Sequence, residues 1–299
     1  MKSKLIALAL FAVTTTTVAL LPAYQSVGDI TPADPPVIDP ITNDQSRIDV
    51  VFVLDTTGSM GGLIQAAKEK IWSIATTMAS AQSAPEIRVG LVVYRDRGDA
   101  YVTRVVDLSS DLDSMYATLM DFQANGGGDG PESVNQALHD AVHKVSWSQQ
   151  AGTYKAVFLV GDAPPHMDYQ DDVKYPMTLR VAKEKGIVVN AIQSGQVGST
   201  TPAWQQIAKL GTGEYFQVEQ AGNAVAITTP FDEKIAKLSA KMDDTRLYYG
   251  TKAEKEKQRR KLAAADKLHA ASSVESRARR ATFNASKSGA ANFLGEGEL

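Results

Sequence analysis

The chain has 299 residues, 43% of them hydrophobic and 22% charged, enough to bury one large core or two small ones, and it contains no cysteine. The absence of thiols excludes disulfide staples, thiolate nucleophiles, cysteine zinc ligands and lipid-modified cysteine anchors. Net charge is −3, but residues 251–299 carry 11 Lys or Arg against 6 Asp or Glu, so a tail of +5 leaves a body of −8.

Residues 1–23, "MKSKLIALALFAVTTTTVALLPA", place Lys2 and Lys4 ahead of an apolar run, the pattern of a signal peptide. The run is nearly long enough to span a bilayer, so an uncleaved N-terminal membrane anchor stays open. Either way the chain is expected to be exported, to the periplasm or the extracellular space, or held at the membrane if the segment is uncleaved. Residues 24–46 contain Pro32, Pro35, Pro36 and Pro40, which deny helix and favour an extended linker.

Over residues 47–240, apolar strands alternate with amphipathic helices. The runs "IDVVFVL" (48–54), "IRVGLVVY" (87–94), "YKAVFLV" (154–160) and "GIVVNAI" (186–192) are rich in Val and Ile, as strands covered on both faces are. Leu63, Ala67, Ile71, Ile74 and Met78 form a helical stripe with Lys68, Glu69 and Trp72 off it, and Val134, Leu138, Ala141, Val142 and Val145 form a second. Two more helices are predicted over 177–185 and 202–210, closed by Gly186 and Gly211 as left-handed caps.

The segment "YVTRVVDL" (101–108) follows the second strand closely enough to pair back on it as one antiparallel edge strand. This alternation predicts an α/β fold: a doubly wound, mostly parallel central sheet with helices on both faces, whose ligands sit at the carboxyl ends of the strands. Residues 241–299 read as a polar, basic tail, helical or disordered and too poor in apolar residues for a core of its own.

The chemistry concentrates at those strand ends. In "DVVFVLDTTGSMGG" (49–62), Asp55 ends a strand and Thr57 and Ser59 follow at spacings of two and four, among glycines that permit a tight turn. No histidine or lysine stands nearby in sequence to deprotonate an alcohol, which argues against nucleophilic catalysis. A carboxylate with two hydroxyls suits a hard divalent cation such as Mg²⁺, which takes oxygen ligands and keeps waters. "FLVGDAPPH" puts Asp162 after another strand, and "NGGGDGPES" puts Asp129, Glu132 and Ser133 in a glycine-rich loop ahead of a helix.

Together, "DTTGSM", "GGGDGPES" before "NQAL", and "VFLVGDAPPH" resemble the von Willebrand factor type A (VWA) domain with its metal-ion-dependent adhesion site, of the exported bacterial kind, over about residues 47–240. The resemblance implies a Rossmann-like fold and metal ligation by Asp55, Thr57 (Thr where Ser is usual), Ser59 and Asp162. The family's intervening threonine has no clear counterpart; Glu132 falls in its place, and Asp129 is the other candidate. It further implies Mg²⁺, or Mn²⁺ or Ca²⁺, as cofactor, and a protein partner whose acidic side chain completes the metal shell in cell adhesion, with no enzymatic activity. If Asp129 or Glu132 also binds directly, the site becomes net negative and disfavours an incoming carboxylate.

His166, four residues past Asp162, is a candidate to orient a ligand or meet the partner. Arg95, Asp96, Arg97 and Asp99 read equally well as a surface ion-pair cluster. The alternative function is a metal-dependent hydrolase using the same carboxylates. No lysine follows Gly126–Gly128 in phosphate-loop spacing, "HDAVH" (139–143) lacks a third zinc ligand, and the tail lacks the interleaved aromatics of a nucleic-acid binder.

Overall fold

Seven consecutive buried residues close strand β1 (Arg47–Asp55), a run that only a strand covered on both faces carries. In the computed structural model, which describes residues 47–79, 86–128, 130–218, 229–244, 273–285 and a few positions between 250 and 263, β1 lies at the centre of a six-stranded sheet. The others are β2 (Glu86–Tyr94), β3 (Thr103–Ser109), β4 (Tyr154–Gly161), β5 (Ile187–Ser194) and β6 (Thr212–Val218), in the order β3-β2-β1-β4-β5-β6. Only β3 runs antiparallel, paired with β2 at the edge; every other pair is parallel. This is the doubly wound sheet with one antiparallel edge strand that the alternation predicts.

Helices cover both faces because successive β1 side chains point to opposite sides. Phe52 and Leu54 pack with α1 (Ile64–Ala79) and α2 (Leu112–Asp121), while Val51 and Val53 pack with α3 (Val134–His143), α4 (Tyr175–Glu184) and α5 (Thr201–Leu210). Near the base of the sheet, Arg88 forms a two-pronged ion pair with the fully buried Asp49 at 2.6 and 2.8 Å, and Asp49 also accepts the backbone N–H of Ser148.

Several expectations need correction. Trp72 and Lys68, which lie off the apolar stripe of α1, are buried as well, because α2 lies alongside. Trp72 packs against Tyr116 with ring centroids 4.4 Å apart, and the Lys68 ammonium donates to the Met120 carbonyl at 2.8 Å. Gly186 closes α4 with φ +68°, as expected, but after α5 the positive φ falls on Thr212 (φ 56°) while Gly211 has φ −77°. The glycine is needed there for space, since a Cβ on Gly211 would stand 2.6 Å from Val189 Cβ.

Helix α6 (Asp232–Asp244) spans the expected boundary between residues 240 and 241, and α7 (Val274–Asn284) lies within the 241–299 segment expected to be helical or disordered. Ala278, Arg280 and Ala281 of α7 are buried, Arg280 is paired bidentately with Asp113 at 3.0 Å, and Arg279 donates to Ser73 of α1. The expected signal or anchor (1–23) and linker (24–46) lie outside the described residues. Among the described residues no helix is long and apolar enough to cross a membrane.

Candidate metal centre

The winding of the sheet reverses between β1 and β4, and the crevice beyond their carboxyl ends is where an open α/β sheet exposes its loops to a ligand. Asp55 is the last residue of β1, and a 3-10 turn (Gly58–Gly62) carries Ser59 before α1 starts. Asp162 follows β4 directly, and Glu132 stands two residues ahead of α3.

These side chains meet through hydroxyls. The Thr57 hydroxyl donates to Asp55 Oδ1 at 2.6 Å, the backbone N–H of Thr57 donates to the same oxygen at 2.9 Å, the Thr57 and Ser59 hydroxyls lie 3.1 Å apart, and Ser59 donates to Asp162 Oδ1 at 2.9 Å. Three short links thus join Asp55 to Asp162, and the convergence of the first and third loops follows from the parallel register of β1 and β4.

The second loop is held to both. Gly58 N–H donates to the Gly126 carbonyl and Asn125 N–H to the Thr56 carbonyl; Glu132 N–H donates to the Pro164 carbonyl, and His166 N–H to the Glu132 carbonyl. Gly127, at φ +78°, lets this loop lie against Glu132, where a Cβ would stand 3.1 Å from Oε1. Gly161 is equally constrained, because a Cβ there would meet the Tyr94 hydroxyl at 2.5 Å and Asp55 Cβ at 2.8 Å.

The electrostatics of the cluster are unfavourable as they stand. Asp55 is fully buried, and burial, reinforced by Asp162, pushes its carboxyl up to about 7 despite the hydrogen bonds from Thr57. Burial and the neighbouring Asp55, Asp96 and Asp99 push Glu132 up to about 9, and burial raises Asp162 as well. Tyr94, at the end of β2, is pushed well up by burial and by Asp55, Glu132 and Asp162 around its hydroxyl. Asp55 Oδ2 and Glu132 Oε2 are buried without a hydrogen-bond donor in good geometry, and the Tyr94 hydroxyl stands close against Asp55 without a well-formed hydrogen bond.

Whether a hard cation suits these residues can be judged from those oxygens. Buried carboxylate oxygens left without donors cost free energy that a cation would recover, and the donor set is all oxygen, carboxylate and hydroxyl, as Mg²⁺ prefers. Among the described residues no three His, Cys, Asp or Glu side chains converge tightly enough to hold an ion alone. Any enclosure therefore depends on Thr57 and Ser59, with water or a partner group closing the shell.

Asp129 lies outside the described residues. His166, expected as a partner contact, is 2% exposed; its ring stacks on Tyr169 at 4.0 Å, and its Nδ1 lies 2.7 Å from Asp168 and its Nε2 3.4 Å from Asp96. In that position it braces the loop from inside rather than presenting a ring edge to a partner. His139 and His143 stack on each other at 4.2 Å on α3, away from the strand ends.

The expected surface ion-pair cluster is another correction. Arg95 and Asp96 are buried: Arg95 donates to the carbonyls of Thr56 and Gln123, and Asp96 accepts from the Ser133 and Tyr169 hydroxyls. Asp99 accepts the backbone N–H groups of Gly127 and Asp96. Only Arg97 pairs at the surface, with Asp171 and Asp172, while lying over the Tyr169 ring. Tyr94 went unrecognised because an aromatic at a strand end carries no metal-site signal in sequence.

A family model for the von Willebrand factor A domain matches residues 49–230. The chain is 35% identical over 120 residues to von Willebrand factor A domain-containing protein 7 of Mus musculus, covering 40% of this chain and 11% of that protein. It is 27% identical over 124 residues to a putative ariadne-like RING finger protein of Acanthamoeba polyphaga mimivirus, covering 42% of this chain and 12% of that protein. The chain thus spans only about a tenth of the length of these curated relatives. A solved structure, proximal thread matrix protein 1 from the mussel byssus with a zinc-occupied MIDAS motif, aligns at TM-score 0.48 and 16% identity over 61% of this chain and 44% of that one. By the match over most of its length, this chain belongs to the von Willebrand factor A domain family.

Proposed function

We propose that the chain is a divalent-metal-dependent protein-binding module, exported to the cell surface or periplasm, which captures a partner and does not turn it over. Domains of this family typically mediate protein–protein contacts. The observation that carries the metal reading is the pair of buried carboxylate oxygens, Asp55 Oδ2 and Glu132 Oε2, that lack hydrogen-bond donors beside the Thr57 and Ser59 hydroxyls. Asp55, Thr57 and Ser59 would hold the ion, Asp162 would act directly or through water, and Glu132 would close the near side. A bound Mg²⁺, or Mn²⁺ or Ca²⁺, supplies positive charge and open coordination positions for a partner's oxygen.

A hydroxyl nucleophile is disfavoured because, among the described residues, the Thr57 and Ser59 hydroxyls hydrogen-bond to carboxylates and to each other, with no amine or imidazole on them to act as base; binding and metal-assisted hydrolysis by water are separated by experiment. The test is partner capture from exported-fraction proteins with Mg²⁺ and with a chelator, alongside assays of generic ester and peptide hydrolysis. Chelator-sensitive capture without turnover supports the proposal. Turnover that Asp55→Ala abolishes would replace it with the hydrolase.

A further inference from the structure

Resting on the proposed metal binding and deepening it, we infer that Arg95 is the residue that positions the first two metal-site loops, through the peptide group it fixes between Asp55 and Thr57. Arg95 directly follows β2 and is buried. Its guanidinium donates to two main-chain carbonyls, from Nε to Thr56 at 3.1 Å and from Nη2 to Gln123 at 3.0 Å. The Thr56 carbonyl shares one planar peptide group with the Thr57 N–H, and that N–H donates to Asp55 Oδ1 at 2.9 Å. Holding one end of the plane aims the other, so the arginine sets the direction from which the first loop grips its carboxylate.

The same carbonyl also joins the two loops. Thr56 O accepts the Asn125 N–H at 3.0 Å as well as Arg95 Nε, so both of its lone pairs are used. Gln123, the second acceptor of the guanidinium, stands two residues before Asn125, and the loop continues to Gly126, whose carbonyl accepts the Gly58 N–H at 2.9 Å. The main chain of Arg95 extends the tie: its N–H donates to the Val102 carbonyl at 3.0 Å, and its carbonyl accepts the N–H of Ser133, next to Glu132, at 3.4 Å. Tyr101 seats the side chain, with its ring centroid 4.6 Å from the guanidinium carbon and its hydroxyl 2.8 Å from that of Thr56. A planar fork can hold two carbonyls at a fixed separation, whereas the single ammonium of a lysine cannot. Arg95 therefore acts on the site through the backbone of its loops.

The test uses Mn²⁺ alone as the probe, on the full chain, and reads both its affinity and the electron paramagnetic resonance spectrum of the bound ion. Arg95→Lys, which keeps the charge, and Arg95→Met, which keeps the apolar stem, should each bind Mn²⁺ about 10–100-fold more weakly, the usual loss when a group supporting a metal ligand is removed. The ion that still binds should give an altered spectrum. Arg88→Ala breaks the buried pair at the far end of β1; it should lower stability yet leave affinity and spectrum as in the wild type, which separates lost position from lost stability. If one Arg95 variant does not fold the other decides, and Tyr101→Leu, which removes the ring beneath the guanidinium, should shift both readouts in the same direction. Unchanged affinity and spectrum in the folded variants, or full recovery by Arg95→Lys, would overturn the inference while leaving metal binding intact. Failure of the wild type to bind Mn²⁺ at all would overturn the metal reading and this inference together.

Discussion

Replacing Asp55 by Asn should make the metal-free protein more stable at neutral pH while abolishing its response to metal. The folded chain holds this fully buried carboxyl protonated up to about 7, against an ordinary value of 3.8. Between those two pH values the unfolded chain has already released the proton that the folded chain keeps, so stability falls as pH rises through the window and levels off above it. The displacement corresponds to about 4 kcal/mol, or roughly 8–16 °C in Tm for a domain of this size. Asn keeps an oxygen to accept from Thr57 but never ionises, so its metal-free Tm should match the wild type near pH 4 and exceed it by a margin of that order at pH 8. Added Mg²⁺ should close the gap by raising the wild type only. Thermal melts from pH 4 to 8, with chelator and with Mg²⁺, make the comparison. Equal melts at every pH, or equal stabilisation of both proteins by Mg²⁺, would refute the reasoning.

Other consequences follow from single contacts. Gly161→Ala drives a methyl group into the Tyr94 hydroxyl and Asp55 Cβ; it should cost about 1–3 kcal/mol in denaturant unfolding and weaken Mg²⁺ binding in parallel. Tyr94→Phe removes a buried hydroxyl that stands against the Asp55 carboxyl without a well-formed hydrogen bond, so the metal-free protein should change by no more than about 1 kcal/mol by the same assay. Arg88→Ala strands the buried Asp49 with only the Ser148 N–H and should cost about 3 kcal/mol, read by urea melts, with Mg²⁺ affinity unchanged because the pair lies at the opposite end of β1 from Asp55.

The parts of this fold that were legible in sequence are those buried on both faces. β1, β2, β4 and β5 appear as unbroken apolar runs because no solvent face interrupts them. The edge strand β6, "TGEYFQV", escaped notice because it is half exposed and Thr212, Glu214 and Gln217 break its apolar run. α2 is short, and its start depends on Asp111 accepting from Ser114 N–H, a cap that resembles an ordinary turn until the helix is seen. The burial of Trp72 and Lys68 has the same root: the stripe of one helix cannot reveal that a second helix lies beside it.

At the site, Asp55, Thr57 and Ser59 were readable because their spacing on a turn is local, and Asp162 because its strand is parallel to β1. The support beneath them was not. Tyr94, Asp96 and Asp99 act through approaches between segments distant in sequence, as when Asp99 accepts from Gly127 N–H at 2.8 Å, and no spacing within one segment encodes such a contact.

The account stands most directly on whether these oxygens bind a divalent ion. Calorimetric titration of Mg²⁺ into the metal-free chain should give saturable binding that Asp55→Ala abolishes and Arg88→Ala leaves unchanged. An absence of binding heat in the wild type at temperatures chosen to reveal a change in heat capacity, or binding that survives Asp55→Ala, would contradict it.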